Sequence, residues 1–226
     1  MSITIAIAGK GGTGKTTIAS LLAKLLTEKG TVLAIDADPS VNLHLALGLH
    51  LEDTIGEIRE ELLEVAHSGK MPPGMSRHEY VDLNVRQSVV ESRGLDLMAM
   101  GRPEGPGCYC AANHMLRTAI DDMGNAYDYV VIDNEAGMEH ISRQTTRDVN
   151  TLLLVSDPTV RGINTAGRMQ QLLRDIRTTV DQVYLVVNRV EGALPPEVEK
   201  EIQAQGLSLL AIIPADAAVG DLDARG

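Results

Sequence analysis

The densest chemistry in the chain lies near the N-terminus, in Gly9-Lys10-Gly11-Gly12-Thr13-Gly14-Lys15-Thr16-Thr17. The run fits G-x-x-x-x-G-K-[ST], read from Gly9 through Gly14 to Lys15 and Thr16. Glycines at these positions let the backbone N–H groups of Gly11, Gly12, Thr13, Gly14 and Thr17 close around a polyphosphate without side-chain collision. Lys15 can then reach the β- and γ-phosphates, and the Thr16 hydroxyl can ligate Mg²⁺. The second chemical feature is the pair Cys108 and Cys110, the only two cysteines, which follow Gly101-Arg102-Pro103-Glu104-Gly105-Pro106-Gly107. One intervening residue is too few for an ordinary structural disulfide, so the pair points to metal or redox chemistry. Thiolates bind Zn²⁺, Ni²⁺ and Cu⁺. One C-x-C gives two ligands, and a two-fold dimer doubles them, enough for tetrahedral zinc or square-planar nickel. The surrounding glycines and prolines suit an exposed loop that meets its symmetry mate.

These residues need a scaffold, and the sequence supplies one. Apolar runs recur at Ile3–Ala8, Val32–Ile35, Leu95–Met98, Tyr129–Ile132, Thr151–Val155, Val183–Val187 and Leu209–Ile213. Helix-like stretches separate them: Ile18–Leu26 directly after the glycine-rich run, Val81–Val90, Thr165–Thr179 and Pro196–Ala204. Strands alternating with helices predict a doubly wound α/β fold, a mainly parallel sheet with helices on both faces. Ligands of such sheets sit at the carboxyl ends of the strands, where the glycine-rich loop also falls. Phe and Trp are absent, so the core is aliphatic, as suits a sheet buried on both faces. Residues 1–226 are expected to form one phosphate-loop domain, and the final Asp-Leu-Asp-Ala-Arg-Gly reads as a connection into one more helix.

A net charge of −11 argues against nucleic-acid binding, since no basic face is evident to neutralise phosphates. There is no run of about 18 apolar residues and no basic-then-apolar leader, so a cytoplasmic protein without a membrane partner is expected.

With Lys10 included, the loop reads K-G-G-T-G-K-T-T and resembles the deviant Walker A motif of the MinD, ParA and nitrogenase iron protein class. That resemblance implies an ATPase active as an ATP-bound homodimer, in which Lys10 reaches the nucleotide of the other subunit. The second run is followed by Asp36-Ala37-Asp38-Pro39, similar to switch I of the class. A carboxylate near the γ-phosphate can orient water for in-line attack, which makes Asp38 the catalytic candidate beside Lys10 and Lys15. Asp36 either supports Mg²⁺ or shapes the loop. Asp133-Asn134-Glu135-Ala136-Gly137 resembles the Walker B aspartate and switch II: Asp133 is expected at Mg²⁺ with Thr16, Glu135 in the switch, and Gly137 where backbone approaches the γ-phosphate. Asn188-Arg189 resembles a base-recognition site, the Asn188 carboxamide pairing with adenine, and Pro214-Ala215-Asp216 resembles the loop flanking the base. Asn188-Arg189-Val190-Glu191 also approaches the N-K-x-D guanine motif, so guanine stays open beside adenine.

Over nearly its whole length the chain resembles the CooC-type ATPases that help insert nickel into carbon monoxide dehydrogenase. The specific part is M-G-R-P-E-G-P-G-C-Y-C, with I-D-N-E-A-G-M-E-H in support. The resemblance implies a homodimer that binds Ni²⁺ or Zn²⁺ between Cys108 and Cys110 of both subunits and couples ATP, ADP and Mg²⁺ turnover to delivery. Two other readings are a maturation factor for the acetyl-CoA synthase nickel site and a regulatory MinD/ParA-like ATPase whose C-x-C is a structural clip.

Overall fold

The computed structural model describes residues 2–102, 110–137, 149–175 and 180–223. All seven apolar runs are strands: β1 Ile3–Gly9, β2 Val32–Ala37, β3 Leu95–Ala99, β4 Tyr129–Asn134, β5 Val149–Ser156, β6 Val180–Val190 and β7 Leu209–Pro214. They form one sheet in the order β3-β2-β4-β1-β5-β6-β7, every neighbouring pair parallel. β1 lies between β4 and β5, so its carboxyl end is flanked by Asp133 on one side and by Val155 on the other.

The two faces of the sheet make two separate cores, because successive side chains point to opposite faces. Ala6, Ala8, Leu33, Ile35, Val130, Ile132, Leu152 and Leu154 share one core; Ile7, Val32, Ala34, Val131, Leu153 and Val155 share the other. Helices α1 (Lys15–Leu26) and α2 (Leu43–Leu47) cover the second face through Ile18, Ala19, Ala23 and Leu43. The first face is covered by α3 (Ile55–Ser68), α4 (Arg77–Gln87), α5 (Cys110–Met123), α6 (Val160–Asp175) and α7 (Pro196–Ala204). A short α8 (Ala217–Asp223) follows β7 at the sheet edge.

Several boundaries differ from the sequence reading for local reasons. α1 begins at Lys15, inside the glycine-rich run, rather than at Ile18. The helix expected over Val81–Val90 is α4: a capping box in which Ser76 and Glu79 satisfy each other's backbone N–H starts it early. Its end is set by Val90, which leaves to form an antiparallel bridge with Leu97. α3 was not anticipated, although Thr54 and Glu57 form the same kind of box at its start. α6 starts at Val160, five residues before the expected Thr165, with the Thr159 hydroxyl accepting from Gly162 N at 3.0 Å. Residues 176–179, at its expected end, lie outside the described residues.

Candidate nucleotide-binding site

Where β1 gives way to α1, the backbone turns through Gly9, Gly12 and Gly14, with φ of 78° at Gly12 and 87° at Gly14. Gly14 is the N-cap of α1 and gives no side-chain cap, and the first helical turn carries no acidic residue. The N–H groups that open α1 are therefore left to an anion, which the helix end favours electrostatically. Two glycines are required by close approach. A Cβ on Gly9 would strike the Val155 carbonyl oxygen, and one on Gly14 would strike Asn188 Nδ2.

The loop's carbonyl oxygens are held from outside. Gly9 O accepts from Gly137 N at 3.1 Å. Lys10 O accepts from Thr13 Oγ1 at 2.9 Å and faces Lys15 Nζ at 3.5 Å. Gly12 O accepts from Arg189 Nη1 at 2.9 Å, and Thr13 O from Asn188 Nδ2 at 2.8 Å.

Beneath the loop, charge is concentrated. Thr16 Oγ1 donates to Asp133 Oδ2 at 2.6 Å, joining the start of α1 to the end of β4. Asp133 is 2% exposed, and its other oxygen, Oδ1, is buried without a partner. Burial pushes the Asp133 carboxyl up to about 7; the Thr16 hydrogen bond and Lys15 oppose the rise, while Asp36 and Asp38 add to it. Lys15 is buried, and that burial lowers its pKa against the raising pull of Asp133, Asp38 and Glu135. A hydroxyl, an orphaned carboxylate oxygen and an excess of anions around one lysine form a donor set that suits a hard divalent cation. The residues present thus fit Mg²⁺ at Thr16 and Asp133.

Asp36 bears on an alternative the sequence left open. Its carboxylate is fully buried and accepts the backbone N–H groups of Asp38 at 3.0 Å and of Asn42 and Leu43, both at 2.8 Å. It therefore shapes the loop and caps α2 from outside the helix, next to Asp133 on the neighbouring strand. Burial raises its pKa while the three amides lower it. The loop it holds contains Val41 at φ 47°, a left-handed conformation that is costly for a β-branched residue. Asp38 is partly exposed and accepts from Ser40 N at 2.8 Å. Lys10 is exposed at the crest of the phosphate loop.

Of the four residues expected to flank a base, Asn188 and Arg189 meet the loop. Asn188 and Arg189 leave the end of β6 where its register with β7 shifts between Val187 and Val190. Pro214 closes β7, and Asp216 accepts from Ala218 N at 2.9 Å at the start of α8. The sequence reading placed Asn188 against a base and missed its bond to Thr13. It also missed Asn134, whose Nδ2 donates to Ile7 O at 3.0 Å and ties β4 to β1 beside Asp133. Cys110 is the first residue of α5, whereas Cys108 and the loop expected around it lie outside the described residues. Among the described residues no group of three or more His, Cys, Asp or Glu is arranged to hold a metal ion. No helix among them is long and apolar enough to cross a membrane.

Comparison with known proteins agrees with this geometry. Residues 4–226 match the CobQ/CobB/MinD/ParA nucleotide binding domain family. An uncharacterized ATP-binding protein of Methanocaldococcus jannaschii is 39% identical over 223 residues, covering 98% of this chain and 88% of the relative. The carbon monoxide dehydrogenase accessory protein CooC of Rhodospirillum rubrum is 32% identical over 233 residues, covering 98% and 87%. Among solved structures, the septum site-determining protein MinD of Pyrococcus horikoshii complexed with Mg-ADP superposes with a TM-score of 0.69 at 22% identity, over 98% of this chain and 85% of that one. The chain belongs to the CobQ/CobB/MinD/ParA nucleotide-binding family and is a P-loop ATPase of the MinD/ParA kind.

Proposed function

We propose that this member of the family hydrolyses ATP to ADP and phosphate as a homodimer and uses the cycle to deliver nickel, or zinc, carried on Cys108 and Cys110, to a nickel enzyme of the carbon monoxide dehydrogenase type. One observation carries the nucleotide half: Thr16 bonded to an Asp133 whose second oxygen is orphaned, directly beside a buried Lys15 under an uncapped helix start. In this reading the N–H groups of Gly11, Gly12, Thr13, Gly14, Thr16 and Thr17 bind the phosphates, and Lys15 reaches the β- and γ-phosphoryl oxygens. Thr16 and Asp133 hold Mg²⁺, which when bound neutralises charge on those oxygens. Asp38 orients the attacking water and takes its proton, Glu135 and Gly137 form the second switch, and Lys10 of each subunit serves the other's nucleotide. Asn188, Arg189, Pro214 and Asp216 flank the base.

The cargo half is supported by the Cys108-Tyr109-Cys110 motif, whose second cysteine opens α5, together with 32% identity to the Rhodospirillum accessory protein over 98% of the chain. Equilibrium dialysis against Ni²⁺ and Zn²⁺, with and without ATP, tests it on the wild type, Cys108→Ser and Cys110→Ser. The expected result is one ion per dimer, lost in both variants, with an affinity that changes on adding ATP and falls as protons compete for the thiolates. One ion per monomer, or binding indifferent to both substitutions, would remove the shared site and leave an ATPase with another client.

A further inference from the structure

Asn188 and Arg189 do something the base-flanking role does not require. Each spends a side-chain N–H on a carbonyl of the phosphate loop 175 or more residues away in sequence. In a trans peptide the C=O and the N–H of the same unit point in opposite directions. Holding Gly12 O outward therefore turns Thr13 N–H inward, and holding Thr13 O outward turns Gly14 N–H inward. These are two of the donors that must converge on a phosphate.

The local backbone is built for this reach. The β6–β7 register breaks between Val187 and Val190, and Arg189 sits at φ 60°, a conformation that L side chains rarely adopt. It is retained at an exposed residue whose guanidinium lands on Gly12 O. Asn188 is 7% exposed, and Gly14 leaves it the room a Cβ would take.

We infer that Asn188 and Arg189 are positioning residues for phosphate binding: they fix the phosphate loop from outside by pinning its carbonyls, and so set affinity for the polyphosphate itself rather than for the base alone. The inference rests on reading the loop as a phosphate cradle, and an inorganic ligand without a base separates the two.

Displacement of a fluorescent ATP analogue is measured with Mg·ATP and with inorganic tripolyphosphate, alongside melting of the ligand-free protein, for wild type, Asn188→Asp, Arg189→Gly and Arg189→Lys. Arg189→Gly relieves the left-handed strain and removes the donor. It should melt at or above the wild-type temperature yet lose on the order of tenfold in tripolyphosphate affinity, the size of one charged hydrogen bond. A purely structural residue cannot give those opposite signs. Arg189→Lys keeps a donor and should recover most of the loss. Asn188→Asp sets a carboxylate against Thr13 O and should weaken tripolyphosphate by more than tenfold. Variants that weaken ATP while leaving tripolyphosphate untouched overturn the inference in favour of base reading alone. So does a loss confined to variants that melt lower. A wild-type protein that binds neither ligand overturns the nucleotide reading and the inference with it.

Discussion

Replacing Asp36 by Asn sets two opposed effects against each other, and a loss is expected because an asparagine cannot accept from all three amides that the carboxylate holds. The Asp36 carboxylate is fully buried, so neutralising it recovers desolvation energy, the cause of its raised pKa. Against that stand hydrogen bonds from the N–H groups of Asp38, Asn42 and Leu43. An asparagine does best by turning its oxygen toward Asn42 and Leu43, which keeps two bonds at neutral strength and sets its NH₂ against Asp38 N–H. One charge-assisted bond of about 1.5–3 kcal/mol is lost and a buried donor is left unpaired, while two bonds weaken. After allowing for the recovered desolvation, a net loss of about 2–3 kcal/mol is expected, or roughly 5–10 °C in melting temperature for a domain of this size. Asp36→Ala leaves all three amides unpaired and should cost more, about 3–5 kcal/mol. Urea unfolding gives the energies, and amide hydrogen exchange gives the location: protection should fall first at Asp38 in Asp36→Asn, and at Asn42 and Leu43 as well in Asp36→Ala. If Asp36→Asn is neutral or stabilising, desolvation outweighs the amide bonds and the carboxylate is not what anchors this loop. Unchanged exchange at Asp38 in Asp36→Asn, or at Asn42 and Leu43 in Asp36→Ala, would refute the geometry itself.

Three further outcomes are expected. Gly12→Ala meets open space and carries only left-handed strain, about 1 kcal/mol, whereas Gly14→Ala adds a collision with Asn188 and should abolish ATP binding; equal behaviour of the two by calorimetry would contradict the packing. Asp133, with a folded pKa raised from 3.8 to about 7, binds its proton more tightly folded than unfolded, so the stability it contributes is full below about pH 4 and is lost as pH rises through about 7. Asp133→Asn should therefore stabilise the cation-free protein at pH 8 more than at pH 5, which chemical denaturation at the two values checks. Lys10→Ala should bind ATP yet hydrolyse it poorly, and mixing it with Lys15→Ala should restore part of the turnover; a mixture no more active than its components would rule out action across the dimer.

The fold was legible because its strands are parallel and interior. Such strands are buried on both faces and read as unbroken apolar runs, as Val32–Ile35 does with every residue buried. The phosphate loop was legible because glycine is demanded at positions fixed by backbone geometry, as Gly14 shows. What escaped has a common cause. The bonds from Asn188 and Arg189 depend on a register break between two strands and on a contact spanning most of the chain, neither of which has a sequence spacing to announce it. Asp36 was ambiguous because a carboxylate after a strand suits either a cation or backbone amides; only the path of residues 38–43 decides. The start of α3 was different: Thr54 and Glu57 spell a capping box that a closer reading of the run would have found.

The electrostatics of the site bear on what the proposed second lysine would add. Lys15 is the buried cation beneath the loop, and Asp133, Asp38 and Glu135 all act on it, with Asp36 close enough to raise Asp133. A triphosphate entering this field brings several more negative charges. A divalent cation at Thr16 and Asp133 offsets two of them and also relieves the pressure that holds Asp133 near neutrality. As the bond to the leaving oxygen breaks, its electron pair would go to that oxygen and add charge there, and Lys15 is already shared among carboxylates. Lys10 lies exposed on the loop, outside that group. Supplied by a second subunit, as the proposed dimer requires, it would add positive charge where the site's own cations are committed elsewhere. Turnover would then depend on assembly, because binding needs only the cations each chain holds while hydrolysis needs one more.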